Sequence, residues 1–271
     1  MKLLVALILS LASLTSHAGA GDEVIGDVGP MARETLAAAK IEDFQRGEFV
    51  ASDGTRLRYR LLLPLDGRRG QRYPLVLQLH SSGGIGNDNA AQIERLPLSW
   101  AMPDVRRRYP AYVLVPQFEQ RSANYDSPTN PQSAVAAPEL AAALELVEHF
   151  ASHRPIDRQR IYAMGFSMGG SATWLAAAAR PDLFAAIVPV SGIAPADDAA
   201  KALLATPAWV LHGNADTENP IDADRRLIAA IRVQGGNLVR LREYEGLDHR
   251  LPADAWPGEW LRDWLFSQRR P

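Results

Sequence analysis

Short, wholly apolar runs alternating with stretches of helical periodicity limit the fold of this chain more than any other feature. Leu75-Val76-Leu77-Gln78-Leu79, Tyr112-Val113-Leu114-Val115 and residues 161–166, 186–190 and 208–211 show little polar–apolar alternation, as expected of strands covered on both faces. Between them the period changes to that of a helix. Leu140, Leu144, Val147 and Phe150 share one face of residues 139–150, and residues 171–179, 222–233 and 255–266 read as further helices. Strands alternating with helices of about ten residues or more imply βαβ units, hence an α/β fold with a mostly parallel central sheet and helices on both faces. Arg56-Leu57-Arg58-Tyr59-Arg60-Leu61 alternates strictly and predicts a half-buried strand; residues 238–244 predict the last strand and residues 34–44 a short helix. Pro116 and Pro181 mark the expected ends of a strand and a helix, and Gly235-Gly236 stops another helix. With no internal repeat and no linker, residues 48–271 read as one domain behind an N-terminal extension at 21–47. The longest irregular stretch, 117–137, is expected to lie over the active end of the sheet.

Charge and composition exclude several classes. A net charge of −2 with basic residues dispersed among acidic ones argues against nucleic acid as a partner. The absence of cysteine removes disulfides, thiol nucleophiles, thiolate metal sites and lipid attachment through an N-terminal thiol. Residues 1–20 carry the pattern of an export signal: Lys2, an apolar run at residues 3–14, and Ala18-Gly19-Ala20 as the cleavage context. The run is too short to cross a bilayer, which takes about 20 residues. The expectation is therefore a chain released into the periplasm or the medium with no stable membrane anchor.

Gly165-Phe166-Ser167-Met168-Gly169 fits G-x-S-x-G, and its context gives the string weight: it closes an apolar strand and opens a helix. A sharp strand-to-helix turn lifts a serine hydroxyl clear of the sheet, at the cost of a strained backbone. Residues two before and two after the serine press on neighbouring backbone, which explains Gly165 and Gly169, with Gly170 adding slack. The helix that follows aims its positive end at a developing oxyanion.

Such a serine needs a base. His17 falls in the export segment, and His149 and His153 have the charged neighbours of a solvated helix face. His80 and His212 end strands and are expected to bond within loops, leaving His249, just after the last strand, as the base. Asp216, in the loop after residues 208–211, is expected to orient the imidazole, ahead of Glu218, Asp222 and Asp248. The oxyanion hole would use the amide of Met168 and that of Ser82, with Ser81 as the alternative, and Gln117 is a candidate substrate contact. The six tryptophans could line a substrate wall but at their spacing read as core.

Two sets of motifs resemble known families. Ile156-Asp157-Arg158-Gln159-Arg160-Ile161-Tyr162 running into the serine motif resembles the secreted esterases and polyhydroxybutyrate-depolymerase-like members of the α/β-hydrolases. Leu79-His80, Gly83, Gly86, Asn89 and Val115-Pro116-Gln117 resemble more the peptidase-like and phospholipase/carboxylesterase group. His212-Gly213, Asp216 and the His249 loop are similar to both, over residues 52–271. The resemblance implies an α/β-hydrolase without a large cap domain, since only about 17 residues separate the strands at 186–190 and 208–211. It further implies ester hydrolysis through an acyl-enzyme on Ser167, with no metal or organic cofactor, on a small-molecule or oligomeric ester. Ser81 departs from the glycine usual after the oxyanion-loop histidine. A peptidase of the prolyl-oligopeptidase type, an acyl transferase and a non-catalytic binding protein are the other readings.

Overall fold

The computed structural model describes residues 21–271 apart from Asp66, Arg69 and Pro257. The export segment expected at 1–20 lies outside the described residues. Eleven strands are described: β1 (Glu23–Ile25), β2 (Phe44–Val50), β3 (Arg56–Leu62), β4 (Tyr73–Leu79), β5 (Tyr112–Gln117), β6 (Ala123–Tyr125), β7 (Ala134–Ala136), β8 (Ile156–Phe166), β9 (Ala186–Val190), β10 (Ala208–Gly213) and β11 (Val239–Tyr244). The helices are α1 (Arg95–Leu98), α2 (Pro103–Arg108), α3 (Pro138–His153), α4 (Met168–Ala179), α5 (Ala200–Leu203), α6 (Asp222–Val233) and α7 (Glu259–Ser267).

Nine strands form one sheet in the order β1-β11-β10-β9-β8-β4-β5-β3-β2. Only the β2–β3 and β3–β5 pairings are antiparallel. The period-two pleat splits each central strand between two cores. Leu75, Leu77 and Leu79 of β4 join Ala163, Ile187 and Val210 in a core covered by α3, α4 and α6. Val76 faces the other way, with Val113, Met164, Val188 and Leu211, under α2 and α7. Both faces of the parallel region are thus buried, as the unbroken apolar runs implied, and no large cap interrupts the 191–207 connection between β9 and β10.

Four local readings are corrected. Residues 34–44 do not form one helix: two single 3₁₀ turns, Arg33–Leu36 and Ile41–Asp43, lead straight into β2. Leu36 is the one buried residue of those turns, and so short a segment has little apolar face to hold it helical, whereas Phe44 is drawn into the sheet. Pro116 does not end its strand but pairs with Tyr59 inside β5. Because β4 pairs with β5 only as far as Leu114, a residue without an N–H is tolerated there. Residues 117–137 are partly ordered as the β6–β7 hairpin, tied down where the Ala134 amide donates to the Ala194 carbonyl. The last helix begins only at Glu259, after Gly258, where a side chain would meet the Asp254 carbonyl. The N-terminal extension contributes β1, parallel to β11, and most of β2.

Candidate active site

Ser167 stands between the end of β8 and the start of α4 with φ 58° and ψ −121°, a region L-residues rarely occupy. The turn is this tight because the backbone leaves no room for side chains beside it. A Cβ on Gly169 would lie 2.0 Å from the Leu79 carbonyl oxygen, and one on Gly165 would lie 2.5 Å from that of Gly169. Gly170 is a close approach rather than slack, since its Cβ would come within 2.5 Å of the Val190 carbonyl oxygen.

The loop after β11 brings His249 over the sheet edge. Its Nε2 is 2.8 Å from Ser167 Oγ, and its Nδ1 donates to Asp216 Oδ2 at 2.7 Å. The ring packs on Phe166, with centroids 4.9 Å apart. Asp216 follows β10 in a tight turn in which its Oδ1 accepts the amides of Glu218 at 3.0 Å and Asn219 at 2.8 Å. Burial pushes the Asp216 carboxyl up, but hydrogen bonds from His212, His249 and the Asn219 amide outweigh it and hold the group well below the ordinary carboxylate range. The structure thus brings Ser167, the His249 imidazole and the buried Asp216 carboxylate together in one line. The rival acids stand aside: Asp222 is exposed in the first turn of α6 with Arg225, Asp248 pairs with Arg250, and Glu218 is 74% exposed, 3.9 Å from His249 Nε2.

The loop after β4 is held by two anchors. The first is His80, whose Nε2 accepts the Phe118 amide at 3.0 Å, so its Nδ1 carries the proton given to the Ser81 carbonyl. Burial pushes this imidazole down to about 4, against the pull of that carbonyl. The second is Glu94, which accepts the Ser81 amide at 2.9 Å and the Ser81 hydroxyl on its other oxygen. Burial raises the Glu94 carboxyl, and the two bonds from Ser81 offset part of the rise. The Ser81 amide is thereby committed, whereas those of Ser82 and Met168 meet no acceptor among the described residues. Of the two oxyanion donors considered for this loop, Ser82 alone stays free.

Gln117 is corrected. It is 1% exposed and fully engaged, accepting the Asn89 amide at 2.6 Å and donating to Asp88 at 2.8 Å and to the Gly84 carbonyl. It braces the 84–89 loop and has nothing left for a substrate. Trp100, Trp174 and Trp256 are fully buried core, and His149 and His153 stack on an exposed helix face.

Beside His249 opens a cavity of about 220 Å³ with Leu96, Phe166 and Leu251 as its apolar lining and Ser81, Glu94, Arg95, His249 and Arg250 as its polar one. Sequence reasoning missed Glu94, and also the pair behind Asp216: His212 Nδ1 lies 2.7 Å from Asp224 Oδ2, and Trp174 Nε1 donates to Asp224 Oδ1 at 2.9 Å. Nothing in the order of residues marks a carboxylate on α6 as the neighbour of a histidine on β10.

Residues 138–197, which include the serine turn, match the prolyl oligopeptidase family of S9 peptidases. The chain is 28% identical over 201 residues to the inferred esterase NocK of Nocardia uniformis subsp. tsuyamanensis, covering 73% of this chain and 52% of that protein. A thermostable esterase of known structure superposes with a TM-score of 0.76 at 31% identity, over 85% of this chain and 64% of that one. An inferred dienelactone hydrolase from Klebsiella pneumoniae shares the fold, with a TM-score of 0.57 at 19% identity over 83% of this chain and 99% of that one. This chain spans about half the length of NocK and less than two-thirds of the thermostable esterase.

Proposed function

Because the chain is a member of the α/β-hydrolase superfamily, we propose that it hydrolyses carboxylic esters through an acyl-enzyme on Ser167. The observation that carries this reading is a single ring: His249 bonds the serine hydroxyl with one nitrogen and a buried carboxylate with the other. In the proposed reaction His249 takes the proton of Ser167 as Oγ attacks the carbonyl carbon. The tetrahedral oxyanion is received by the amides of Met168 and Ser82, and the protonated ring returns the proton to the leaving alcohol. Water then enters by the same route in reverse and frees the acid. Asp216 holds the ring in the tautomer that leaves Nε2 open to the serine.

The neighbouring cavity favours a short substituent. Its 220 Å³ is somewhat larger than the roughly 150 Å³ that accommodates benzene. Acetate and butyrate esters are therefore the expected substrates, with rates falling at octanoate. The decisive measurement is a p-nitrophenyl ester series with the native protein and Ser167→Ala, together with labelling by a fluorophosphonate. Absence of label on residue 167 in the folded protein would end the reading.

The match of residues 138–197 to S9 peptidases favours a second reading, in which the same atoms cleave an amide. An aminoacyl p-nitroanilide assayed beside p-nitrophenyl butyrate separates the two. We further propose that the protein acts outside the cytoplasm after loss of residues 1–20, which N-terminal sequencing of the exported product would test.

A further inference from the structure

His212 lies directly behind the acid of the triad and is wholly buried, as is Asp224 beside it. Its Nε2 faces the Asn219 carbonyl oxygen at 2.7 Å, and because that atom can only accept, Nε2 must carry a proton. Its Nδ1 faces an Asp224 oxygen at 2.7 Å, and the other oxygen of that carboxylate already receives the Trp174 N–H. Each oxygen of that carboxylate thus faces one nitrogen, the pairing in which Trp174 Nε1 and His212 Nδ1 both donate. Asp216 Oδ2, the atom that takes the His249 Nδ1–H at 2.7 Å, is also 3.4 Å from His212 Nε2. Two rings therefore share one carboxylate oxygen.

We propose that His212 is a positioning residue, held as an imidazolium by Asp224, that shares Asp216 with His249 and thereby fixes the carboxylate oxygen that orients the base. Its positive charge on the far side of Asp216 holds Oδ2 in line with His249 Nδ1, so the ring is presented to Ser167 in one orientation. The charged groups within ion-pair distance of His212 are Asp216 and Asp224. Those facing His249 are Asp216, the exposed Glu218 and, around the adjoining cavity, Glu94, Arg95 and Arg250. Burial alone would push His212 down, but the bonds to Asp216 and Asp224 raise it to about 9, in agreement with the geometry. For its catalytic consequence the proposal rests on the serine-hydrolase reading; for its test it does not.

The test is a nitrogen-15 and proton NMR titration of the histidine rings in the full chain and in Asp224→Asn. In that variant Trp174 can still donate to the amide oxygen, and the amide nitrogen can donate to His212 Nδ1. The site stays satisfied while His212 becomes neutral. The native protein should show both His212 nitrogens protonated at pH 7. In Asp224→Asn, His212 should be neutral at that pH, and the His249 Nδ1–H proton resonance, which reports its bond to Asp216, should move. A neutral His212 in the native protein, or an unmoved His249 Nδ1–H resonance in the folded variant, overturns the proposal. Should Asp224→Asn not fold, the same resonance must move in His212→Gln, and the charge of the native ring is decided without any variant. Failure of the hydrolase reading would show separately, as absence of fluorophosphonate label on Ser167.

Discussion

Glu94 grips Ser81 twice, taking its amide on one carboxylate oxygen and its hydroxyl on the other. That clamp fixes the start of the 3₁₀ turn Ser82–Gly84, whose first amide is a proposed oxyanion donor. Glu94→Ala should lower kcat on p-nitrophenyl acetate by about tenfold to a hundredfold while leaving KM within about threefold, because a misplaced donor is felt chiefly in the transition state. Glu94→Gln, with one acceptor for two donors, should fall between. Steady-state kinetics on the three proteins check this.

Replacing the acid should separate true partner from bystander. Asp216→Asn leaves the shape but lets His249 take the wrong tautomer, and kcat should drop by on the order of 10⁴. Asp222→Ala removes an exposed carboxylate paired with Arg225 and should change kcat less than about twofold. The reverse result would reassign the acid.

The serine turn tolerates no added carbon. Gly169→Ala would drive a methyl into the Leu79 carbonyl, and the backbone cannot yield without dismantling β4 and α4 together. The expected loss is at least about 3 kcal/mol in urea denaturation, or failure to fold, with activity lost in either case.

His80 predicts an acid limb of stability. The unfolded ring takes a proton below about pH 6.5, whereas the folded ring, buried between Ser81 and Phe118, refuses it until about 4. Stability should therefore fall as pH drops through that window and level off below it, by on the order of 3 kcal/mol from this ring. Denaturation midpoints measured from pH 7 to pH 4 test the window, and a flat profile there would contradict the buried neutral ring.

The sheet and the serine turn were legible because each rests on a local rule. Short apolar runs without alternation, bounded by turn residues, read as doubly covered strands, and glycines two residues either side of Ser167 answer a crowding set by the turn itself. His249 and Asp216 were legible because their order along the chain follows the order of the strands. What stayed hidden depends on side chains meeting across elements far apart in sequence. Gln117 was expected at the substrate, but the 84–89 loop folds back and claims both ends of its amide. His212 was read as a loop histidine because it ends a strand, but beside its loop partner Asn219 it meets Asp224 of α6, whose other oxygen takes the Trp174 N–H of α4. Residues 34–44 read as a short helix, and the pull of Phe44 into the sheet overrode that reading.

The brevity of the passage between β9 and β10 governs how turnover should respond to its surroundings. Seventeen residues, mostly spent on the chain reversal and α5, provide no flap to lift away at an oil–water boundary. The initial rate should accordingly climb hyperbolically with dissolved ester and show no jump when the ester begins to form micelles. A bulky polymer end should reach Ser167 without any movement of that connection.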